Sequence, residues 1–188
     1  MSLPRGVRVY RVGGSFGVRV LGLASGTFNL DSVEGFVRRL AKTDAEVGTV
    51  TQAFNSLRVV GVEHLVHASR LAVNAYESGC GFASSLAIEL ICWVAAERQI
   101  YRAFEKMGVH SGRNDLVLVS VGRSTSQVRK AIVRIFKDLG AIWDNSLMEM
   151  KPEKIPEIRR AFSIAREAEL APIQSIVLER IALLALEK

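Results

Sequence analysis

Between Gly79 and Gly108 the chain reads GCGFASSLAIELICWVAAERQIYRAFEKMG. Its first half, Phe82 to Ala96, is apolar nearly all the way round, interrupted only by Ser84, Ser85 and one carboxylate, Glu89. A helix that is apolar on every side has to be covered on every side. The rest of the chain must therefore assemble around this stretch, which is expected to form the centre of the fold. The second half, Glu97 to Met107, turns amphipathic and carries Arg98, Gln99, Arg102 and Lys106. It is expected to surface beside the buried half. The apolar run is too short for a membrane span of ~20 residues and contains Glu89. A soluble, cytoplasmic protein with no membrane partner is expected.

The flanking segments supply the cover. Val7, Val9 and Val12, then Phe16, Val18, Val20 and Leu21, read as two strands joined by a turn at Gly13-Gly14-Ser15. Asp31-Ser32-Val33-Glu34 has the spacing of a capping box and is expected to open a helix to about Lys42. Val47 to Phe54 reads as a third strand, and Gly61 to Tyr76 as a second helix with apolar residues at helical spacing. After a loop, Gly108 to Asn114, the run Leu116 to Val121 has the continuous apolar character of an interior strand. Ser124-Thr125-Ser126-Gln127 is a second capping box, opening a helix to Leu139 with Gly140 beyond its end. Ala141 to Trp143 is expected as an edge strand, and Pro172 opens a final helix to Leu186. The order predicts an α+β fold: one domain over residues 1–188, a mixed β-sheet packed against several α-helices.

The chemistry candidates are few. The net charge of +6 favours an acidic partner such as nucleic acid. Cys80 and Cys92 both lie in the apolar stretch and read as reduced, buried thiols. His64, His67 and His110 lack carboxylates or thiolates at ligand spacing, so neither a metal nor another cofactor is expected. His64 and His67 read as polar-face or interface residues. Gly122-Arg123-Ser124-Thr125-Ser126 joins a strand to a helix, where a phosphate or simply a helix cap would fit. Glu89 is either an acid with a raised pKa or a buried acceptor of hydrogen bonds from an Arg or the backbone. Arg98, Arg102 and Lys106 step by four and are expected to share one helix side, leading into the Gly108–Asn114 loop. That arrangement suits single-stranded RNA better than a duplex groove. The last helix carries apolar residues on more than one face, so it is either sandwiched inside or an interface.

Gln52-Ala53-Phe54, Val62-Glu63-His64-Leu65, Ser84-Ser85-Leu86 with Glu89-Leu90, Arg98-Gln99-Ile100 and the terminal Glu179-Arg180-Ile181-Ala182-Leu183-Leu184-Ala185-Leu186 together resemble one family. It is the small tRNA-recruiting, kinase-binding subunit of the KEOPS complex, the PRPK-binding-protein family. The resemblance spans nearly the whole chain and is densest in the central stretch. It implies a non-catalytic subunit that binds the kinase-like ATPase of the complex directly. The threonylcarbamoyltransferase subunit is then an indirect partner. It further implies that the chain holds the 3′ CCA end of tRNA while threonylcarbamoyl is placed on the adenosine beside the anticodon. Arg98, Lys106, Gly108, Val109 and Arg113 are the residues expected near the RNA, and Ile181 and Leu184 those expected at the kinase. Two alternatives stay open: a small hydrolase or transferase using Glu89 with Ser124 and a histidine, and a structural adaptor without RNA affinity.

Overall fold

Two strands dominate the sheet. In the computed structural model, which describes residues 6–14, 17–165 and 172–186, β2 (Gly17–Leu30) runs antiparallel to β4 (Gly112–Gly122) along its length. The register runs from Val20 opposite Gly122 to Leu30 opposite Gly112. β1 (Arg8–Gly14) pairs with the first half of β2, and β5 (Ile142–Trp143) pairs with Gly26 and Thr27 further along it. β3 (Val50–Asn55) lies on the far side of β4, giving the order β1-β2-β4-β3. The α+β class holds, and within it every pairing is antiparallel where a mixed sheet is expected.

Helices cover both faces of this sheet. Alternate residues of a strand point to opposite faces, and the burial of β2 and β4 follows that rule. Leu21, Leu23, Val117 and Val119 join a large core beneath α2 (Val62–Glu77), α3 (Leu86–Ala95), α4 (Ile100–Met107) and α7 (Ile173–Leu184). Ala24, Phe28, Leu116 and Leu118 join a second core beneath α1 (Val33–Val47) and α5 (Thr125–Asp138). A short α6 (Ile155–Ala161) closes the first core through Ile158. The central strands are apolar throughout because both their faces are buried. α5 lies close on the sheet above two glycines of β2. A Cβ at Gly22 would come within 2.9 Å of Val128 Cβ, and one at Gly26 within 2.7 Å of Phe136 Cε1.

Several boundaries move from where the sequence pattern sets them. The first helix is capped by Ser32, whose Oγ accepts from Gly35 N–H at 3.0 Å, not by Asp31. It continues past Lys42 to Val47 and ends at Gly48, whose φ of 77° is in the left-handed region that favours glycine. The third strand therefore starts at Val50, after the helix end. β2 is far longer than expected because β4 pairs with all of its second half. For the same reason residues 112–114 belong to β4 and not to the preceding loop. The Ser124 capping box forms as expected, with Gln127 answering the Ser124 side chain.

Candidate nucleic-acid and partner interface

The central stretch is two helices, not one. α3 ends at Ala96, whose φ is 49°, and Glu97 N–H turns back to the Cys92 carbonyl at 2.9 Å. α4 starts only at Ile100. Phe82 lies before α3, whose N-cap is Ser85. Arg98 thus sits in the connection between the helices and does not share a helix face with Arg102 and Lys106.

Glu89 organises this region. Its carboxylate is fully buried and accepts three hydrogen bonds. Phe82 N–H donates to Oε2 at 2.8 Å, Ala83 N–H to Oε2 at 2.9 Å, and the Trp93 indole N–H to Oε1 at 2.8 Å. The carboxylate thereby fixes the loop before α3 onto α3 itself through backbone and indole donors. Gly81 permits the closure, since a Cβ there would fall 2.8 Å from Oε2. One result is that Phe82 stacks on Trp93, their ring centroids 5.4 Å apart. Arg98 Cζ then lies 5.1 Å from the Phe82 centroid on the exposed side. Arg98, Phe82 and Trp93 form one tier, with a cation over aromatic carbon.

Two shallow grooves meet at the 96–99 connection. One, about 380 Å3, is lined by Glu97, Arg98, Gln99, Arg180, Leu183 and Leu184. The other, about 330 Å3, is lined chiefly by Arg58, Glu97, Arg102, Lys106 and Arg160. Lys106 is half-buried: its Nζ donates to the Ala95 carbonyl at 2.9 Å and lies 4.9 Å from the Phe162 ring centroid. Burial lowers its pKa, and Glu97 pulls in the opposite direction. Arg102 is exposed and donates to Tyr101 Oη at 3.0 Å. Arg58 donates to the Glu105 and Lys106 carbonyls, closing the end of α4. A larger groove, about 570 Å3, opens between β1 and α2 and holds none of the residues expected of the site.

The remaining expected residues fall elsewhere. Gly108 and Val109 line an apolar cavity of about 270 Å3 with Val37, Gln52, Ala53 and Phe104. Gly108 is needed there for space, because a Cβ would fall 2.3 Å from the Phe104 carbonyl oxygen. Arg113 is exposed on β4, opposite Asn29. The five residues expected near RNA therefore divide among three places. Ile181 and Leu184 face inward, with 0% and 5% exposure, because both join the large core. The outward apolar residues of the last helix are Leu183 and Leu186, at 48% and 79%. Leu183 borders the Arg98 groove. Phe82, Arg180 and Leu183 were not singled out from sequence. Only the turn at Ala96 brings them beside Arg98.

The other chemistry candidates take structural places. His64 is fully buried, not on a polar face: Nδ1 accepts from Val60 N–H at 3.3 Å and Nε2–H donates to the Val94 carbonyl at 2.9 Å. Burial pushes its pKa down to about 4, against the opposing pull of the Val94 bond. Ser124 Oγ accepts within its own cap, and the N–H groups of Arg123 and Ser124 are taken by Gln127 Oε1 at 3.0 and 3.1 Å. Those donors are not open to a phosphate. Glu89, Ser124 and a histidine make no hydrogen bond with one another. Cys92 is buried and its thiol is pushed up to about 12, by burial first and by Glu89 next. Cys80, expected to be buried, is exposed. Among the described residues no helix is long and apolar enough to cross a membrane.

The arrangement is that of a layered α+β binding module. Its charged and apolar grooves lie where the loop after α3 meets the last helix. A family model described as kinase binding protein CGI-121 matches residues 33–185, and the chain belongs to that family. β1 and β2 both precede the matched segment. No curated protein matches the sequence.

Proposed function

We propose that the chain is the non-catalytic accessory subunit of the cytoplasmic KEOPS complex, which forms threonylcarbamoyladenosine in tRNA. In this reading it binds the kinase-like ATPase directly and holds tRNA by the 3′ CCA end. The observation that carries the reading is the Arg98–Phe82–Trp93 tier at the rim of the groove shared with the last helix. An unpaired RNA end needs a cation for phosphate and a flat surface on which bases can stack, and the exposed guanidinium of Arg98, seated over Phe82, can serve as both. The adjoining Leu183 and Leu186 offer the exposed apolar surface that a protein partner would cover.

In a native gel the purified protein is expected to retard intact tRNA and to lose most of the shift when the CCA end is removed. Equal retardation of trimmed and intact tRNA would leave only salt-sensitive electrostatics and overturn the CCA assignment. Kinase capture without any tRNA shift would reduce the chain to an adaptor. Leu183→Arg is expected to weaken capture of the kinase-like ATPase by at least roughly tenfold. Its melting temperature should stay unchanged, as for other exposed substitutions. Full capture by this variant would move the kinase surface off the last helix.

A further inference from the structure

The opposite face of the molecule carries a second concentration of positive charge. α1 and α5 lie side by side over the second core, tied at one end by Gln127 Nε2, which donates to the Val47 carbonyl at 3.2 Å. Between them runs a groove of about 320 Å3, lined by Gly35, Arg38, Arg39, Lys42, Thr43, Arg134 and Asp138. Four of those seven residues are cations. The acids around it are engaged locally. Glu34 pairs with Arg38 at 3.4 Å, and Glu46 and Asp138 both pair with Arg134, at 2.5 and 3.7 Å. Asp44 is turned to Thr49 and Thr51. Arg39 and Lys42 make no ion pair among the described residues, and both are exposed. Lys130 and Lys137, one helical turn to either side of Arg134, continue the row on α5 and are equally exposed.

From this juxtaposition we propose that the α1–α5 groove binds the phosphate backbone of double-helical RNA, as a contact separate from the groove at residues 96–99. Rigid helices present these cations at intervals of ~6 Å per four residues, a regular row suited to a regular polyanion. The large apolar residues exposed on the two helices are valines, Val33, Val37 and Val133. No aromatic ring lines the groove, so it has no platform for unpaired bases. Backbone contacts of this kind position a helix and carry no sequence information. The proposal takes from the functional reading above only RNA as the class of ligand.

The test uses the full chain and four probes: intact tRNA, a blunt RNA duplex, a short single-stranded RNA ending in CCA, and polyglutamate. The double charge reversal Arg39→Glu/Lys42→Glu is compared with Arg11→Glu/Arg70→Glu. The second pair changes net charge equally at exposed sites on β1 and α2. The first variant should bind duplex and tRNA roughly tenfold more weakly, with the log–log salt slope reduced by about two. It should bind the single strand like the unmodified chain, and the control variant should retain duplex binding. Undiminished duplex binding by the first variant would overturn the proposal. So would equal losses in both variants, which would show net charge alone. Retention of polyglutamate as tightly as of duplex RNA would assign the groove to an acidic protein instead. Failure of the single strand to bind any of the proteins would sink the CCA reading and leave the duplex comparison intact.

Discussion

Replacing Glu89 with alanine is expected to lower the unfolding free energy by about 4 kcal/mol, measured by urea denaturation at neutral pH. The carboxylate is fully buried and receives the N–H groups of Phe82, Ala83 and Trp93. Its removal strands all three donors, each costing on the order of 1–3 kcal/mol when left unpaired away from water. Part of that cost is recovered if the 79–85 loop peels away and its donors meet solvent. Glu89→Gln should fall between, because one amide offers a single acceptor oxygen and brings two N–H groups to a site already full of donors. A local readout separates anchoring from mere cavity formation. In Glu89→Ala the loop should be cleaved by protease faster than the rest of the chain, and Trp93 fluorescence should shift toward that of a wetter indole. An alanine variant within about 0.5 kcal/mol of the parent would show that Glu89 is dispensable to the fold. The chemical use of this residue would then need another account.

Acid is expected to weaken the fold by about 3 kcal/mol between pH 7 and pH 4 through His64. In the folded protein its pKa is held down to about 4, against 6.5 for an ordinary histidine. The unfolded chain therefore takes up the proton first as pH falls. The stabilising preference for neutral imidazole is complete above pH 6.5 and is lost progressively down to pH 4. His67 is also lowered, chiefly by burial, and adds in the same direction. The chief cause at His64 is burial, which penalises the charged imidazolium, and Nδ1 is already occupied as the acceptor of the Val60 N–H. Unfolding free energies measured between pH 5 and 6.5 should fall as pH falls in the parent and in His67→Gln. The slope should flatten in His64→Phe, although that variant starts from lower stability because Val60 N–H and the Val94 carbonyl lose their partner. A parent protein whose His64 ring titrates near pH 6.5 by NMR would contradict this.

Much of the architecture was legible in local pattern. Phe82 to Ala96 announced a buried centre, the apolar run Leu116–Val121 an interior strand, and Ser124 with Gln127 a helix start. Each is a short-range signal, and each survives because local preference and tertiary packing agree there. The break at Ala96 was not legible. Alanine-alanine-glutamate reads as helix, and a positive φ at alanine is disfavoured. The turn exists because α3 and α4 must pack at an angle that buries Val94, Ala95, Ala103 and Met107 in one core. The basic residues after it consequently lost their common face.

The candidate site was legible only in its residue types. Arg98 was visible as a cation, yet nothing local places Phe82 under it. That contact depends on the Glu89 carboxylate drawing the loop onto α3. The apolar excess of the last helix was equally plain, but helical spacing alone does not say which of Ile181, Leu183 and Leu184 faces out. Packing against α2 and α3 decides it, turning Ile181 and Leu184 inward and leaving Leu183 at the groove. Likewise Arg38, Arg39 and Lys42 were one charged helix face among several until α5 was set beside them. By itself, then, the sequence determined that Phe82 to Ala96 must be enclosed and that a lone carboxylate there needs donors. Tertiary structure decided which donors, and through them where Arg98 stands. Donors and neighbours distant along the chain are chosen by packing, and no residue carries that choice within itself.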